Sequence, residues 1–337
     1  MNRLLLLLLL LLSVELSASE LYLFNWTDYL PQSIIEEFEE ETGITVHLSA
    51  FESNEAMYTK LKILNSGRYD LAVPSTYFVS RMIKENMLQK IQLNLLKNLH
   101  YIDPRLQSRA HDPGNQYSVP YLFGFTILAH HGHKFPDAVG WKALWKVQAG
   151  RPILMLDDMR ESFAVALKSL GYSSNSTDPA QIKKAYEALL RLKPRVRLFT
   201  SEAPKQSFIS EEVGLGMIYS GDLHTVLQEN KNIKFTFPVE GYTLWLDSMV
   251  IPRRARNIAE AHSFIDFVLR PKISARIATQ LGYSSPNQEA LLYMEEPYRS
   301  SPLINPSKGM IRDGELLLDV GRAVFLYEDY WQKLKVY

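Results

Sequence analysis

Five carboxylates, Asp28, Asp158, Glu161, Asp222 and Asp247, fall at expected loops or strand ends, near six aromatic residues, Trp26, Tyr29, Tyr77, Tyr219, Trp245 and Tyr283. Carboxylates bordered by aromatic faces suit a cation with an apolar body, because the charges pair with ammonium groups while the rings cover the methylenes. Taken one at a time, each acid reads as a solvated turn or cap residue, since Asp favours both positions. Their number is what points to a ligand. Asp158 and Glu161 also resemble the acid pair of a glycosidase, whose carboxyl groups must stand roughly 5–9.5 Å apart. Sequence spacing does not give that distance, so a secreted carboxylate-pair hydrolase stands as one alternative.

Other chemistries lack their residues. His130, His131 and His133 carry the commonest metal-binding side chain, yet no second His or carboxylate pair completes the spacing of a four-ligand site. An exposed loop or a connection is expected there, and neither metal nor cofactor. No Gly-rich phosphate loop, H-E-x-x-H motif or Ser–His–Asp signature occurs. The chain has no Cys, which excludes thiolate catalysis, disulfides and Cys-held zinc or iron–sulfur clusters. Lys and Arg total 37 against 37 Asp and Glu, so no net positive field favours nucleic acid. The acidic run Glu36–Glu41 and Arg253-Arg254-Ala255-Arg256 read as solvated surface.

These residues need a frame, and 337 residues with 46% apolar content supply enough for about two domains. Leu21–Trp26 reads as a buried strand, and Pro31 starts a helix through Ile34, Ile35 and Phe38 that stops at Thr42-Gly43. Ile44–Leu48 returns as a strand, Ser53 or Asn54 caps a helix that Gly67 ends, and Tyr69–Val73 is a strand again. Further strands are expected at Ile153–Leu156, Gly216–Tyr219, Lys234–Pro238 and Leu244–Ile251, with helices at Ser162–Leu170 and Pro179–Leu192. Asp157–Glu161 reads as an exit loop, and Glu315–Lys335 as a single helix. Such alternation predicts an α/β fold with a mostly parallel sheet in two units. In such sheets ligands collect beyond the carboxyl ends of the strands, where Trp26-Thr27-Asp28-Tyr29 and Pro74-Ser75-Thr76-Tyr77 lie.

The first nineteen residues read as a secretory signal: Arg3, then leucine from Leu4 to Leu12, then small residues Ser17 and Ser19 before a cut ahead of Glu20. Nine leucines fall short of the roughly 20 apolar residues that a spanning helix requires. The mature chain is expected outside the cytoplasmic membrane with no stable insertion in it.

Several stretches together resemble the periplasmic spermidine/putrescine-binding proteins of bacterial ABC importers, with the spermidine-preferring type nearest. They are Phe24–Tyr29, Glu52–Tyr58, Tyr69–Tyr77, Asp157–Glu161, Trp245–Ser248, Leu281–Tyr283 and Tyr327–Lys335. The resemblance covers essentially the whole mature chain. It implies a two-lobed α/β fold with the ligand cleft between lobes, the first lobe at 20–125 plus 249–297 and the second at 126–248 plus 298–337. It implies a non-enzymatic periplasmic receptor that hands a polyamine to a membrane permease. It also implies that Asp28, Asp158, Glu161 and Asp247 hold the nitrogens, with Asp at 28 where the family often has Glu. Trp26, Tyr29, Tyr77, Trp245 and Tyr283 would line the methylene chain, and Thr27, Ser75 and Ser201 would supply hydroxyls at one end. Tyr219 stands where the spermidine-preferring type carries Trp, Leu317 falls at its Gln, and Asp222 matches an acid of the putrescine-preferring relatives, so the choice of polyamine stays open. A receptor for thiamine or ferric ion on the same fold is the nearest alternative.

Overall fold

The structure, a computed structural model, describes residues 19–64, 67–148, 151–201 and 204–336. The expected secretory signal lies outside the described residues except for Ser19, whose hydroxyl donates to Glu260 at 2.6 Å. Strand β1 (Glu20–Trp26) buries Leu21, Leu23 and Phe24 and pairs in parallel with β2 (Thr45–Phe51) on one side and β3 (Leu71–Ala72) on the other. Between β1 and β2 runs the helix Gln32–Thr42, which turns Ile34, Ile35 and Phe38 into the core. Gly43 stops it in the left-handed region at φ 69°, returning its N–H to the Glu39 carbonyl, a position where a side chain would be strained.

The remaining strands are β4 (Ser118–His131), β5 (Ile153–Met155), β6 (Val196–Phe199), β7 (Leu215–Tyr219), β8 (Ile233–Thr236), β9 (Thr243–Val250) and β10 (Glu315–Leu316). They join one sheet in the order β2-β1-β3-β9-β4-β7-β5-β6, with β10 on β9 and β8 on β4. Its two ends are parallel, as the alternation predicts, but its centre is not. β9 runs antiparallel to β3 and to β4, and β4 antiparallel to β7 and β8. Long β4 and β9 are fully buried and pass between two bodies of core. One body gathers side chains from 21–122 with 249–277, in two clusters either side of the sheet. The other gathers mainly 123–246 with 303–334. The fold is thus α/β and two-lobed.

Four local expectations need correction. His130 and His131 are buried strand residues at the end of β4 and not an exposed loop, because β7 and β8 flank that end. Glu161 is not in an exit loop: the side chain of Asp158 accepts its N–H at 2.9 Å, and that cap starts the helix Met159–Ser169 three residues earlier than the apolar pattern alone suggests. Asp222 likewise sits in the first turn of the helix Ser220–Glu229. The tail is not one helix, since Glu315–Leu316 pairs with β9 and Gly321 at φ 56° breaks the chain before the helix Val324–Val336 begins. Among the described residues, no helix is long and apolar enough to cross a membrane.

Candidate functional site

Asp247 is the centre of the best-defined part of the site. On β9 the side chains alternate, so Thr243, Trp245 and Asp247 share one face. Asp247 is 6% exposed, and its carboxylate accepts from Ser75 Oγ at 2.6 Å and from Tyr29 OH at 3.0 Å. Ser75 is held in turn by Asn54, whose Oδ1 accepts the Ser75 N–H at 3.0 Å while its Nδ2 donates to Ser75 Oγ at 3.1 Å and Tyr77 OH at 3.2 Å. Three loops after β1, β2 and β3 are thereby fixed to one carboxylate. Burial raises that carboxyl to about 6, against the lowering effect of its two hydroxyl donors.

A chain of rings leads away from it. Tyr29 meets Tyr283 edge-on at 5.6 Å, Tyr283 meets Trp245 at 5.2 Å, and Trp245 meets Tyr219 at 6.0 Å. Two glycines make room for these rings: a Cβ at Gly124 would overlap the Trp245 indole, and one at Gly221 the Tyr283 ring. Trp245 Nε1 is buried with no partner among the described residues. Tyr283 is bracketed by the charges of Asp222 and Asp247. Asp222 is raised to about 6 by burial, which Lys205 at 3.5 Å partly offsets.

Asp158 and Glu161 lie at the helix that packs into the same body as the helix of Asp222. Glu161, 3% exposed, accepts from Thr243 Oγ1 at 2.6 Å. Burial raises both Asp158 and Glu161, and the charge of Asp158 raises Glu161 further. Between them in sequence stands buried Arg160, but its guanidinium donates to the Leu318 carbonyl at 3.0 Å, the Ser174 carbonyl at 3.4 Å and Asn175 Oδ1 at 3.1 Å. It also covers the Tyr77 ring at 5.4 Å. Of the charges acting on Tyr77, that of Asp158 is the strongest, so these acids and the rings face one region between the bodies.

Direct contacts therefore join Tyr29, Ser75, Tyr219, Trp245, Asp247 and Tyr283, while shared electrostatics bring in Tyr77, Asp158, Glu161 and Asp222. Trp26 Nε1 donates to the Val73 carbonyl at 2.9 Å, and the indole packs on Phe51. Thr27 and Asp28 are exposed, with Asp28 in the left-handed region at φ 51° and no contact to the cluster among the described residues. The Ser201 hydroxyl is buried without a partner among the described residues. Leu317 is 3% exposed yet belongs to none of the apolar cores among the described residues, and its carbonyl accepts from Thr76 Oγ1 at 2.8 Å.

Asn54, Thr243 and Glu55 escape sequence reasoning. Thr243 is available from the period of β9, two and four residues before Trp245 and Asp247. Glu55 opens the helix Asn54–Leu64, and although the residue is exposed, the protein crowded around its carboxyl raises it to about 7, helped by Asp158 across the gap. Among the described residues, no group of three or more His, Asp or Glu is placed to hold a metal ion.

Comparison with known proteins agrees with this architecture. Residues 33–306 match the family described as bacterial extracellular solute-binding protein. The spermidine/putrescine-binding periplasmic protein of Salmonella typhimurium is 42% identical over 317 residues, covering 94% of this chain and 91% of its own. Two solved structures superpose closely. The TpPotD lipoprotein of Treponema pallidum gives a TM-score of 0.86 at 32% identity, over 94% of this chain and 99% of its own. The substrate-binding protein PotD of a Streptococcus pneumoniae spermidine/putrescine ABC transporter gives 0.81 at 32% identity, with the same coverage.

Proposed function

The chain belongs to the bacterial extracellular solute-binding protein family, and from that premise we propose that it is a periplasmic polyamine receptor, without catalytic activity, that delivers putrescine or spermidine to the permease of an ABC importer. The observation that carries the ligand class is Asp247, a buried carboxylate whose partners among the described residues are hydroxyls and not a cation. Burying a charge without a counter-charge costs several kcal/mol, and an arriving ammonium removes that cost. Asp158 and Glu161 repeat the arrangement, and their neighbour Arg160 is committed to carbonyl groups and Asn175. A polyamine carries two or three ammonium groups separated by three or four methylenes. Several spaced acids with rings between them suit such a chain, each ring face over a cation contributing about 0.5–2 kcal/mol.

In this reading Asp158, Glu161, Asp222 and Asp247 pair with nitrogens, and Trp26, Tyr29, Tyr77, Tyr219, Trp245 and Tyr283 line the methylenes. Ser75 and Ser201 donate or accept at the ends, and Thr27 and Asp28 meet the ligand from the rim. The first lobe takes 20–125 with 249–297 and the second 126–248 with 298–337, so that both long central strands cross between lobes. Lys205 already sits against Asp222, which makes that acid the weakest of the four toward an ammonium.

Asp247→Asn keeps the shape of the side chain and deletes the charge. Removing one partner of a buried, hydrogen-bonded charge pair costs about 2–5 kcal/mol. Calorimetric titration with putrescine and with spermidine should therefore show dissociation constants at least thirtyfold weaker, with the melting temperature of the free protein unchanged or raised. Binding within threefold of the parent would make Asp247 a structural acid and remove the basis of the proposed site.

A further inference from the structure

The Arg253-Arg254-Ala255-Arg256 run is not simply spread on the surface. A cavity of about 400 Å³ lies beside it, lined among others by Lys62, Arg68, Tyr69, Glu85, Arg253 and Arg254. It stands at the opposite end of the sheet from the cleft. Gly67–Tyr69 lead into β3, whereas Ser75 beyond it meets Asp247, and β9, antiparallel to β3, exits at Pro252–Arg254.

Four segments line it, and close contacts fix the three at Gly67–Tyr69, Glu85–Met87 and Pro252–Arg254 to each other. The Arg253 N–H donates to the Met87 carbonyl at 2.7 Å, and Arg253 Nη1 to Asn86 Oδ1 at 2.7 Å. Asn86 itself is held in the left-handed region at φ 57°. Gly67, at φ 67°, lies so close to the Arg254 carbonyl that a Cβ would overlap it. Asp70 anchors the same turn by accepting the N–H groups of Arg256 and Asn257 at 2.9 and 3.0 Å. The site is therefore formed in advance, not assembled from loose loops.

Its charge is one-sided in a chain whose formal net charge is zero. Four cationic side chains line it against one carboxylate. That carboxylate is already satisfied: Glu85 accepts from Lys62 at 2.8 Å, Tyr58 at 2.6 Å and Arg81 at 3.2 Å, and these bonds outweigh burial and bring it down to about 2. A second observation points to a missing acceptor. Tyr69 is 3% exposed, its ring is stacked on Phe24, and its hydroxyl is buried with no partner among the described residues. A buried phenol is normally hydrogen-bonded.

We infer that this cavity binds a phosphate group, with Arg68 and Arg253 as the charged clamp, Arg254 adding positive charge at its side and Tyr69 as a neutral donor. Guanidinium forks match tetrahedral oxyanions bidentately, and a phosphate offers oxygens to several forks at once where a simple carboxylate has only two. The cavity volume leaves room for a group attached to the phosphate. A free phosphate compound and an anionic lipid headgroup share this chemistry.

The test uses the mature chain at low ionic strength, titrated by calorimetry with inorganic phosphate and separately floated with vesicles of phosphatidylglycerol or of phosphatidylcholine. Saturable phosphate binding is expected, weakened at least tenfold in Arg68→Gln/Arg253→Gln and several-fold in Tyr69→Phe. Both arginines are exposed, and an unchanged melting temperature verifies that the double variant is folded. Flotation with phosphatidylglycerol alone, lost in the same variant, assigns the group to a lipid headgroup; phosphate binding without flotation assigns it to a free compound. Absence of both, or equal binding by parent and double variant, overturns the inference.

Discussion

Burial has pushed Asp247 and Asp222 up to about 6, while an Asp open to water titrates near 3.9. Only the ionised form attracts an ammonium, so these values, with the raised Asp158 and Glu161, set where binding fails. With Glu161 raised to about 8 beside them, polyamine affinity should climb with pH up to about 8 and fall as the pH drops through 6 toward 4. The sign is opposite for the closed protein without ligand. Raised carboxyls bind protons that the unfolded chain has already released, so their contribution to stability is present in acid and lost as the pH rises from about 4 through 6. Raising a carboxyl pKa by one corresponds to about 1.4 kcal/mol. Titration with putrescine at pH 5.0 and 7.5 should show at least a tenfold weaker dissociation constant in acid, and Asp247→Asn should flatten the profile. A dissociation constant independent of pH over this range would mean that these carboxylates do not face the ligand.

Elements carry the residues of one lobe onto the other. The helix Thr76–Lys84 begins one residue after Ser75, and at its two ends it grips the segment that follows β10: Thr76 Oγ1 donates to the Leu317 carbonyl at 2.8 Å, and Lys84 meets Asp319 at 2.5 Å. Arg160 and Asn175 hold that segment from the other side through Leu318 and Leu316. The Thr76 and Lys84 contacts join one lobe to the other, and they avoid the proposed ligand groups. Thr76→Val with Lys84→Ala should therefore weaken putrescine and spermidine by the same factor, about eight- to thirtyfold, from a hydrogen bond near 1 kcal/mol and an exposed ion pair of about 0.2–1 kcal/mol. A change in the ratio of the two affinities would place these residues in ligand selection instead. None of this clasp is legible in the sequence, since Leu317 and Asp319 are placed by the pairing of Glu315–Leu316 with β9, far off along the chain, in a stretch whose own pattern suggests a helix. β1, the helix Gln32–Thr42 and the helix Pro179–Leu192 are legible to within a residue or two, because strong apolar periods meet clear Pro, Asp and Gly boundaries there. Resemblance supplies the site residues where composition and spacing supply only a cationic ligand class. The hydroxyl and amide supports, Asn54 and Thr243, depend on long-range pairing that local pattern does not encode.

At the scale of the whole molecule, closure and ligand charge are one problem. With Thr76 against Leu317 and Arg160 over Tyr77, the lobes are in contact, and of the acids between them Glu161 and Asp247 are buried and Asp158 and Asp222 half-buried. Bringing Asp158, Glu161, Asp222 and Asp247 together without a cation costs desolvation and mutual repulsion, whereas opening restores them to water. The clasp contributes only a small part of what several buried charges demand in the opposite direction, on the order of 1–2 kcal/mol against several for each ion. The unliganded protein at neutral pH should therefore stand open, and a polyamine should close it by supplying the missing charge, the hinge motion usual for binding proteins. Protonation offers a second route to the same state. Because these carboxyls are raised on closing, closing takes up protons, and acid favours it. Small-angle scattering should give a smaller radius of gyration with saturating putrescine at pH 7.5 than without it. The ligand-free protein at pH 5.0 should move part of the way toward the closed value, and Asp247→Asn should move further in that direction at neutral pH. Identical scattering at both pH values, in a protein that putrescine does compact, would show that contacts to the ligand drive closure and that relief of buried charge does not.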